Sequence, residues 1–178
     1  MTQQKVIKLI NLVFIIFLLY SCTPDSKTKI EKVVPSATEF KPVDAAFIRR
    51  LHGQQIYVPI YSSIYNQYKE SLLHMTGILS IRNTSFKESI TIKKVDYYDT
   101  NGKLLKRFID GPFSLGKMSS KDFVIPENDL EGGTGANFIV EWVSENVVSL
   151  PLVESIMLGT LGTKGFSFSS RGQEIQAH

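Results

Sequence analysis

The chain has 178 residues, 43% of them hydrophobic, enough for one globular domain with its own core. Lys and Arg number 20 against 17 Asp and Glu, and Lys5 and Lys8 fall in a leading segment without acids, so residues 22–178 carry a net charge of only +1. A near-neutral body lacks the basic stripe that nucleic-acid phosphates require, and a single cysteine excludes an intrachain disulfide.

Met1 to Lys8 is polar and basic, and Leu9 to Tyr20 is an apolar run interrupted only by Asn11. This is the layout of a secretory signal peptide. The run is too short for a comfortable transmembrane helix, which takes about 20 apolar residues. Leu19-Tyr20-Ser21-Cys22 then resembles the lipobox of bacterial lipoprotein precursors: an aliphatic residue, a tolerant position, a small residue and the cysteine. Tyr20 is bulkier than is usual there. The resemblance implies that the Cys22 thiol takes a diacylglycerol and that cleavage falls before it, leaving acyl chains as an anchor. The competing reading is an uncleaved signal anchor with a coincidental cysteine. Thr23 stands where an Asp favours inner-membrane retention, so the expected place is the outer membrane, facing the periplasm. The expected division is a signal peptide over 1–21, a lipidated N-terminus and flexible tether over 22–50, and a β-domain over 51–178.

Residues 23–46 are rich in Lys, Thr, Ser and Pro. Such a composition buries too little surface to order itself and predicts a leash of ~25–30 Å. A turn of helix is expected over Phe47 to Leu51.

From Gln54 onward, short β-type runs alternate with turn residues. Ile56 to Tyr61 is a strand in which Pro59 suggests an edge or a bulge. Leu73 to Arg82 is the next, with Met75, Ile78 and Ile81 as expected core. In Ser89 to Tyr98 the apolar face switches at Lys93-Lys94, as a β-bulge would make it do. Asp99-Thr100-Asn101-Gly102 is a hairpin turn whose Asn-Gly pair supplies positive φ angles, with Lys103 to Ile109 as the returning strand. Lys121 to Ile125, Asn137 to Ser144, Glu154 to Thr160 and a short Gly165 to Ser169 follow. The fold expected is all-β: an immunoglobulin-like Greek-key β-sandwich of about seven or eight strands, with a small β-barrel as the alternative.

Little in the sequence carries chemistry. His52, His74 and His178 are scattered and none pairs at a metal-ligand spacing, so neither metal nor other cofactor is expected. Asp96 and Asp99 lie three apart, on opposite faces of a strand, and cannot flank one bond as glycosidase carboxylates do. Asp99 reads better as the opener of the turn. The loop Gly132-Gly133-Thr134-Gly135-Ala136-Asn137 lacks the strand-to-helix setting of a phosphate cradle. It is read as a shaped turn into the next strand, with a ligand loop as the alternative. Gly165-Phe166-Ser167-Phe168-Ser169 fails the nucleophile-elbow pattern at its last position. Asn83-Thr84-Ser85 fits a glycosylation acceptor, which the lipobox makes irrelevant. Tyr57, Tyr61, Tyr65 and Tyr68 fall within twelve residues, and tyrosine suits surfaces that are half apolar and half wet. Trp142 shares a strand face with Phe138 and Val140 and reads as core.

Across the body, several segments together resemble a family of bacterial exported proteins grouped as domain of unknown function 3124. They are Tyr57 to Ser62, Leu79 to Thr84, Val95 to Thr100 with Gly102-Lys103-Leu104, Gly132 to Trp142, Gly159-Thr160 and Phe168 to Gly172. The resemblance implies no activity, ligand or catalytic residue. A fainter likeness in fold pattern is to the soluble sensory-rhodopsin transducer, by analogy only. The function expected is therefore a membrane-anchored envelope lipoprotein acting as a non-enzymatic binding or adaptor module for an envelope protein or glycan. Tyr57, Tyr61, Tyr65, Asn137 and Arg171 are its candidate binding residues. A ligand-carrying protein or cryptic hydrolase using Gly132–Asn137 is the alternative, and a purely structural envelope protein is a third.

Overall fold

The computed structural model describes residues 41–43, 52–66 and 71–177. Cys22, the signal segment, the expected helical turn at 47–51, Tyr68 and His178 lie outside the described residues. The described residues form strands and no helix. Twelve strands run in chain order: β1 His52–Pro59, β2 Ser63–Tyr65, β3 Leu72–His74, β4 Thr76–Arg82, β5 Ile90–Tyr98, β6 Leu104–Arg107, β7 Phe113–Leu115, β8 Ser120–Ile125, β9 Asn137–Ser144, β10 Leu152–Leu161, β11 Lys164–Arg171 and β12 Gln173–Ala177.

One antiparallel sheet has the order β12-β1-β9-β5-β6, with β7 also paired to β5. A second runs β11-β10-β4-β8, and β2-β3 is a separate small hairpin. Both large sheets stay open at their edges, so the described strands close no barrel. Side chains from the two sheets fill one core, with Val58, Val95, Tyr97, Phe138 and Trp142 from the first meeting Leu79, Ile81, Phe123, Val153 and Met157 from the second.

Several details depart from the sequence expectation. Strands outnumber the seven or eight foreseen because β2, β3, β7 and β12 are held by backbone pairing and show no apolar alternation of useful length. In β4 the inward set is Gly77, Leu79 and Ile81, following buried Met75; Ile78 has the opposite parity and is only half-buried. β1 is an internal strand, not an edge. Pro59 is tolerated as its last residue because β12 pairs no further along β1 than Tyr57, so no neighbour asks for the missing N–H on that side.

The hairpin forms where expected but with a different turn. Only Gly102 takes a positive φ, +80°, whereas Asn101 does not. Gly102 N–H donates to the Asp99 carbonyl and Asp99 N–H to the Lys103 carbonyl, both at 3.0 Å. That is a type I turn closed by a left-handed glycine, and the ladder shifts register beside it, between Tyr97 and Tyr98. Asp99 Oδ1 caps the turn, accepting from the N–H groups of Asn101 and Lys103 at 2.8 Å each.

Two short segments tie the ends of the domain in place. Lys41–Val43, within the stretch read as tether, runs antiparallel beside β7: Val43 N–H donates to Pro112 O and Ser114 N–H to Lys41 O, each at 3.1 Å. Such pairing uses the backbone, so it needs none of the apolar side chains this stretch lacks. At the other end Gly172 N–H donates to Val153 O at 2.9 Å where the chain passes from β11 to β12 and changes sheets.

Candidate functional site

The structure divides the predicted binding residues among four places. Tyr57 lies on the outer face of the first sheet, in a cross-strand row that runs Gln173, Tyr57, Ile139, Asp96 and Arg107 over β12, β1, β9, β5 and β6. The adjoining row contains Pro59, Asn137 and Tyr98, which puts Asn137 diagonally beside Tyr57. Tyr61 follows the end of β1 and packs edge-on to Phe168, with ring centroids 5.8 Å apart. Tyr65 is exposed on the β2–β3 hairpin. Arg171 is exposed on the outer face of the second sheet, opposite Glu154, which pairs with Arg82 at 3.4 Å. Tyr57 and Asn137 therefore share a surface, and Arg171 does not belong to it.

The glycine loop is bound into the protein by its own backbone. The Gly132 carbonyl accepts from the Thr100 N–H and hydroxyl at 3.0 and 2.9 Å. The Gly133 carbonyl accepts from the Ser62 and Ser63 N–H groups, both at 3.2 Å, and from the Ser62 hydroxyl. The Ala136 carbonyl accepts from Ile60 N–H at 3.0 Å, and Gly135 N–H donates to Thr100 Oγ1 at 2.9 Å. These bonds clamp the loop between the β5–β6 turn and the exit of β1. Beneath it, the Tyr97 hydroxyl is buried and, among the described residues, has no hydrogen bond of normal geometry. Burial, reinforced by the Asp129 carboxylate, pushes the Tyr97 phenol up to about 12; the nearby Ser62 hydroxyl opposes this.

The most built feature of the outer face of the first sheet is a charged cavity of about 300 Å³ lined by Lys93, Lys94, Asp96, Arg107, Ile109 and Glu141. The face switch at Lys93-Lys94 is legible in the sequence, whereas this convergence is not. The β5–β9 ladder shifts register between Ile92 and Lys94, leaving Lys93 as the extra residue. In a regular strand these two lysines would point to opposite faces. The bulge turns both outward: Lys93 Nζ reaches Glu141 Oε1 at 2.5 Å, and Lys94 Nζ reaches Asp96 Oδ2 at 3.4 Å. Asp96 is only 3% exposed although it faces outward, because its neighbours cover it. The Tyr98 hydroxyl also donates to Asp96 Oδ2, at 3.5 Å. Arg107 stands directly across the ladder from Asp96, yet among the described residues it forms no ion pair.

At the far end of the same sheet, the Trp142 indole N–H donates to buried Gln54 at 3.2 Å, and the Gln54 amide donates to Glu174. This chain of bonds holds Trp142 in the core while β12 closes the sheet edge. His74 Nδ1 lies 3.1 Å from the Ser63 hydroxyl, within the small hairpin. Among the described residues, no group of three or more His, Cys, Asp or Glu side chains is placed to hold a metal ion.

A crystal structure from Thermotoga maritima, of protein 1070, is similar to this chain at 13% identity and a TM-score of 0.44, covering 67% of this chain and 92% of that one. No curated protein matches the chain. A family model described as protein of unknown function, DUF3124, matches residues 53–175, which takes in every strand but the last residues of β12 and the first of β1; the chain belongs to that family.

Proposed function

We propose that the chain is a lipid-anchored bacterial envelope protein, held through Cys22 on the outer membrane facing the periplasm, whose β-domain is a non-enzymatic binding or adaptor module for an envelope protein or glycan. One observation carries the binding half of this reading. The outer face of the first sheet combines Tyr57, Asn137 and a five-charge cavity on a rigid ladder, with no helix laid over it among the described residues. Sites built on paired strands hold their side chains in place better than sites on loops. The glycine loop lends the alternative reading, a ligand carrier or cryptic hydrolase, no comparable support, because its carbonyls are bonded within the domain. The anchor half rests on Leu19-Tyr20-Ser21-Cys22 after a short apolar run. We read the two-sheet arrangement itself as a Greek-key, immunoglobulin-like sandwich, supported by a chain that changes sheets between β4 and β5, β7 and β8, β8 and β9, β9 and β10, and β11 and β12.

Two measurements test the proposal. Membrane fractionation of cells making the full chain should lose the mature form from the membrane with Cys22→Ala or with lipoprotein signal peptidase blocked. Attachment unchanged under both overturns the anchor. Capture of envelope components by the anchored protein should weaken with Tyr57→Ala and survive Arg171→Ala; the reverse order overturns the choice of face.

A further inference from the structure

We infer that the cavity on the outer face of the first sheet is a binding site for a small molecule or group bearing an oxyanion, a carboxylate or a phosphate. This names the ligand chemistry of the face proposed above and rests on that reading.

Three cations line the cavity against two carboxylates. Each carboxylate already serves a lysine: Glu141 holds Lys93, and Asp96, covered and only 3% exposed, holds Lys94. What remains over is the Arg107 guanidinium, exposed at the rim and without an ion pair among the described residues. Arg107 sits across from Asp96 in the ladder, so its absence of pairing is not a matter of distance along the sheet. The Asp96 carboxylate is directed instead to Lys94 and the Tyr98 hydroxyl, on its own strand. A planar fork of N–H donors left facing a polar cavity is matched by two oxygens of one carboxylate or phosphate. Lys93 and Lys94 are each offset by their own acid, so the net positive charge of the cavity rests on Arg107.

The backbone supports this independently of the charges. A β-bulge interrupts a ladder and loosens the strand locally, and bulges recur where a side chain must be re-aimed near a functional site. Here its consequence is that two consecutive lysines face one cavity instead of one facing the core. The cavity, at about 300 Å³, lies at the lower end of the size range of small-molecule sites. Ile109 supplies an apolar wall, and Tyr57 and Ile139 extend the row beyond Asp96, so a ligand body could rest along the sheet.

The test is titration of the full chain in detergent, followed by calorimetry and by the NMR signals of the arginine side chains, with inorganic phosphate, acetate and glycerol phosphate as separate arms. Saturable binding in at least one arm is expected, and the tightest arm identifies the source: free phosphate, a carboxylate, or a lipid-type headgroup. Arg107→Ala should weaken that binding roughly 10- to 100-fold, and Lys93→Ala less. Arg107→Lys should restore only part of it, because an ammonium lacks the fork. Arg171→Ala, on the other sheet, should leave it unchanged. Absence of saturable binding in all three arms overturns the inference, as does binding that survives Arg107→Ala. If the oxyanions fail while Tyr57-dependent capture and Cys22-dependent attachment persist, this inference alone falls. If they bind while attachment does not depend on Cys22, the anchor alone falls.

Discussion

Gly132 lies against the hydroxyl of Tyr97: a Cβ added at Gly132 would stand 1.8 Å from that oxygen and 2.8 Å from the ring carbon bearing it. The glycine is there for close approach to a buried side chain, which gives the conspicuous Gly132–Asn137 loop a packing origin. Tyr97 cannot retreat, since its ring is packed at 5.1 Å against Phe138 in the core. Gly132→Ala should therefore destabilise the domain by about 1–3 kcal/mol, read from urea unfolding midpoints. Adding Tyr97→Phe should recover part of the loss, because it removes the oxygen but leaves the ring. A Gly132→Ala protein as stable as wild type would show that the loop moves aside freely.

The same hydroxyl makes an alkaline signature. Burial raises the Tyr97 phenol from 10.0 to about 12 in the folded protein. The unfolded chain thus gives up this proton first, so the contribution is intact below pH 10 and lost as pH rises through about 12. The stability difference between wild type and Tyr97→Phe should be flat with pH up to that window and shift against wild type within it. At neutral pH, removing a buried hydroxyl that has no hydrogen-bond partner among the described residues should raise stability by about 1 kcal/mol. Denaturant titrations at several alkaline pH values, with tyrosinate absorbance followed in parallel, give both quantities.

What could be read in advance follows from which interactions are local. The β5 bulge was legible because Ile90 and Ile92 set one phase and Val95 and Tyr97 the other, with only Lys93-Lys94 between them to absorb the change. β9 was legible down to its ends, since Phe138, Val140 and Trp142 alternate cleanly after the glycine loop. β12 was not: Gln173-Glu174-Ile175-Gln176-Ala177 is exposed throughout and exists as a strand because β1 offers it a free edge, a property of the assembled sheet. The cavity was hidden for a similar reason. Lys93 and Lys94 declare a bulge, but Glu141 arrives from β9 and Arg107 by the register of the β5–β6 hairpin. The tyrosine cluster is divided by the fold. The four residues are close in sequence, yet β1 ends at Pro59, and Tyr61 and Tyr65 continue in other directions.

Asn83, which follows β4, is 2% exposed and organises the β4–β5 and β7–β8 connections. Its Nδ2 donates to the carbonyls of Glu88, Leu115 and Gly116 at 2.8, 3.2 and 2.9 Å, while Oδ1 accepts from Ser85 N–H at 2.9 Å. Asn83→Asp replaces that donor with an oxygen facing three carbonyl oxygens. The expected loss is about 3–5 kcal/mol at neutral pH, where the acid would have to be buried charged or take up a proton. The loss should shrink as pH falls from neutral toward about 4 and level off below it, where the unfolded chain is protonated too and the neutral acid can donate one bond. Asn83→Ala should cost less than the aspartate at neutral pH and show no such pH dependence. An aspartate variant equal to wild type in unfolding midpoint would mean that the three carbonyls are satisfied otherwise.

Met118 is the one non-glycine residue with a positive φ among the described residues, at 56°. It sits in the turn between β7 and β8, where Ser119 N–H donates to the Gly116 carbonyl at 3.2 Å and Met118 N–H to the Ser85 carbonyl at 3.1 Å. Those two bonds hold the backbone in the left-handed region, which costs an L-residue roughly 1–2 kcal/mol. The side chain offers little in return, being 57% exposed. Met118→Gly should raise stability by about 0.5–1 kcal/mol, the relief of strain exceeding the extra freedom of glycine in the unfolded chain. Met118→Asn should gain less, and Met118→Val should lose stability because a β-branched residue tolerates this conformation worst. Urea unfolding midpoints should rank the four proteins Gly, Asn, Met, Val from most to least stable, with equal denaturant slopes. A glycine variant below wild type would mean that Met118 makes a contact worth more than its strain.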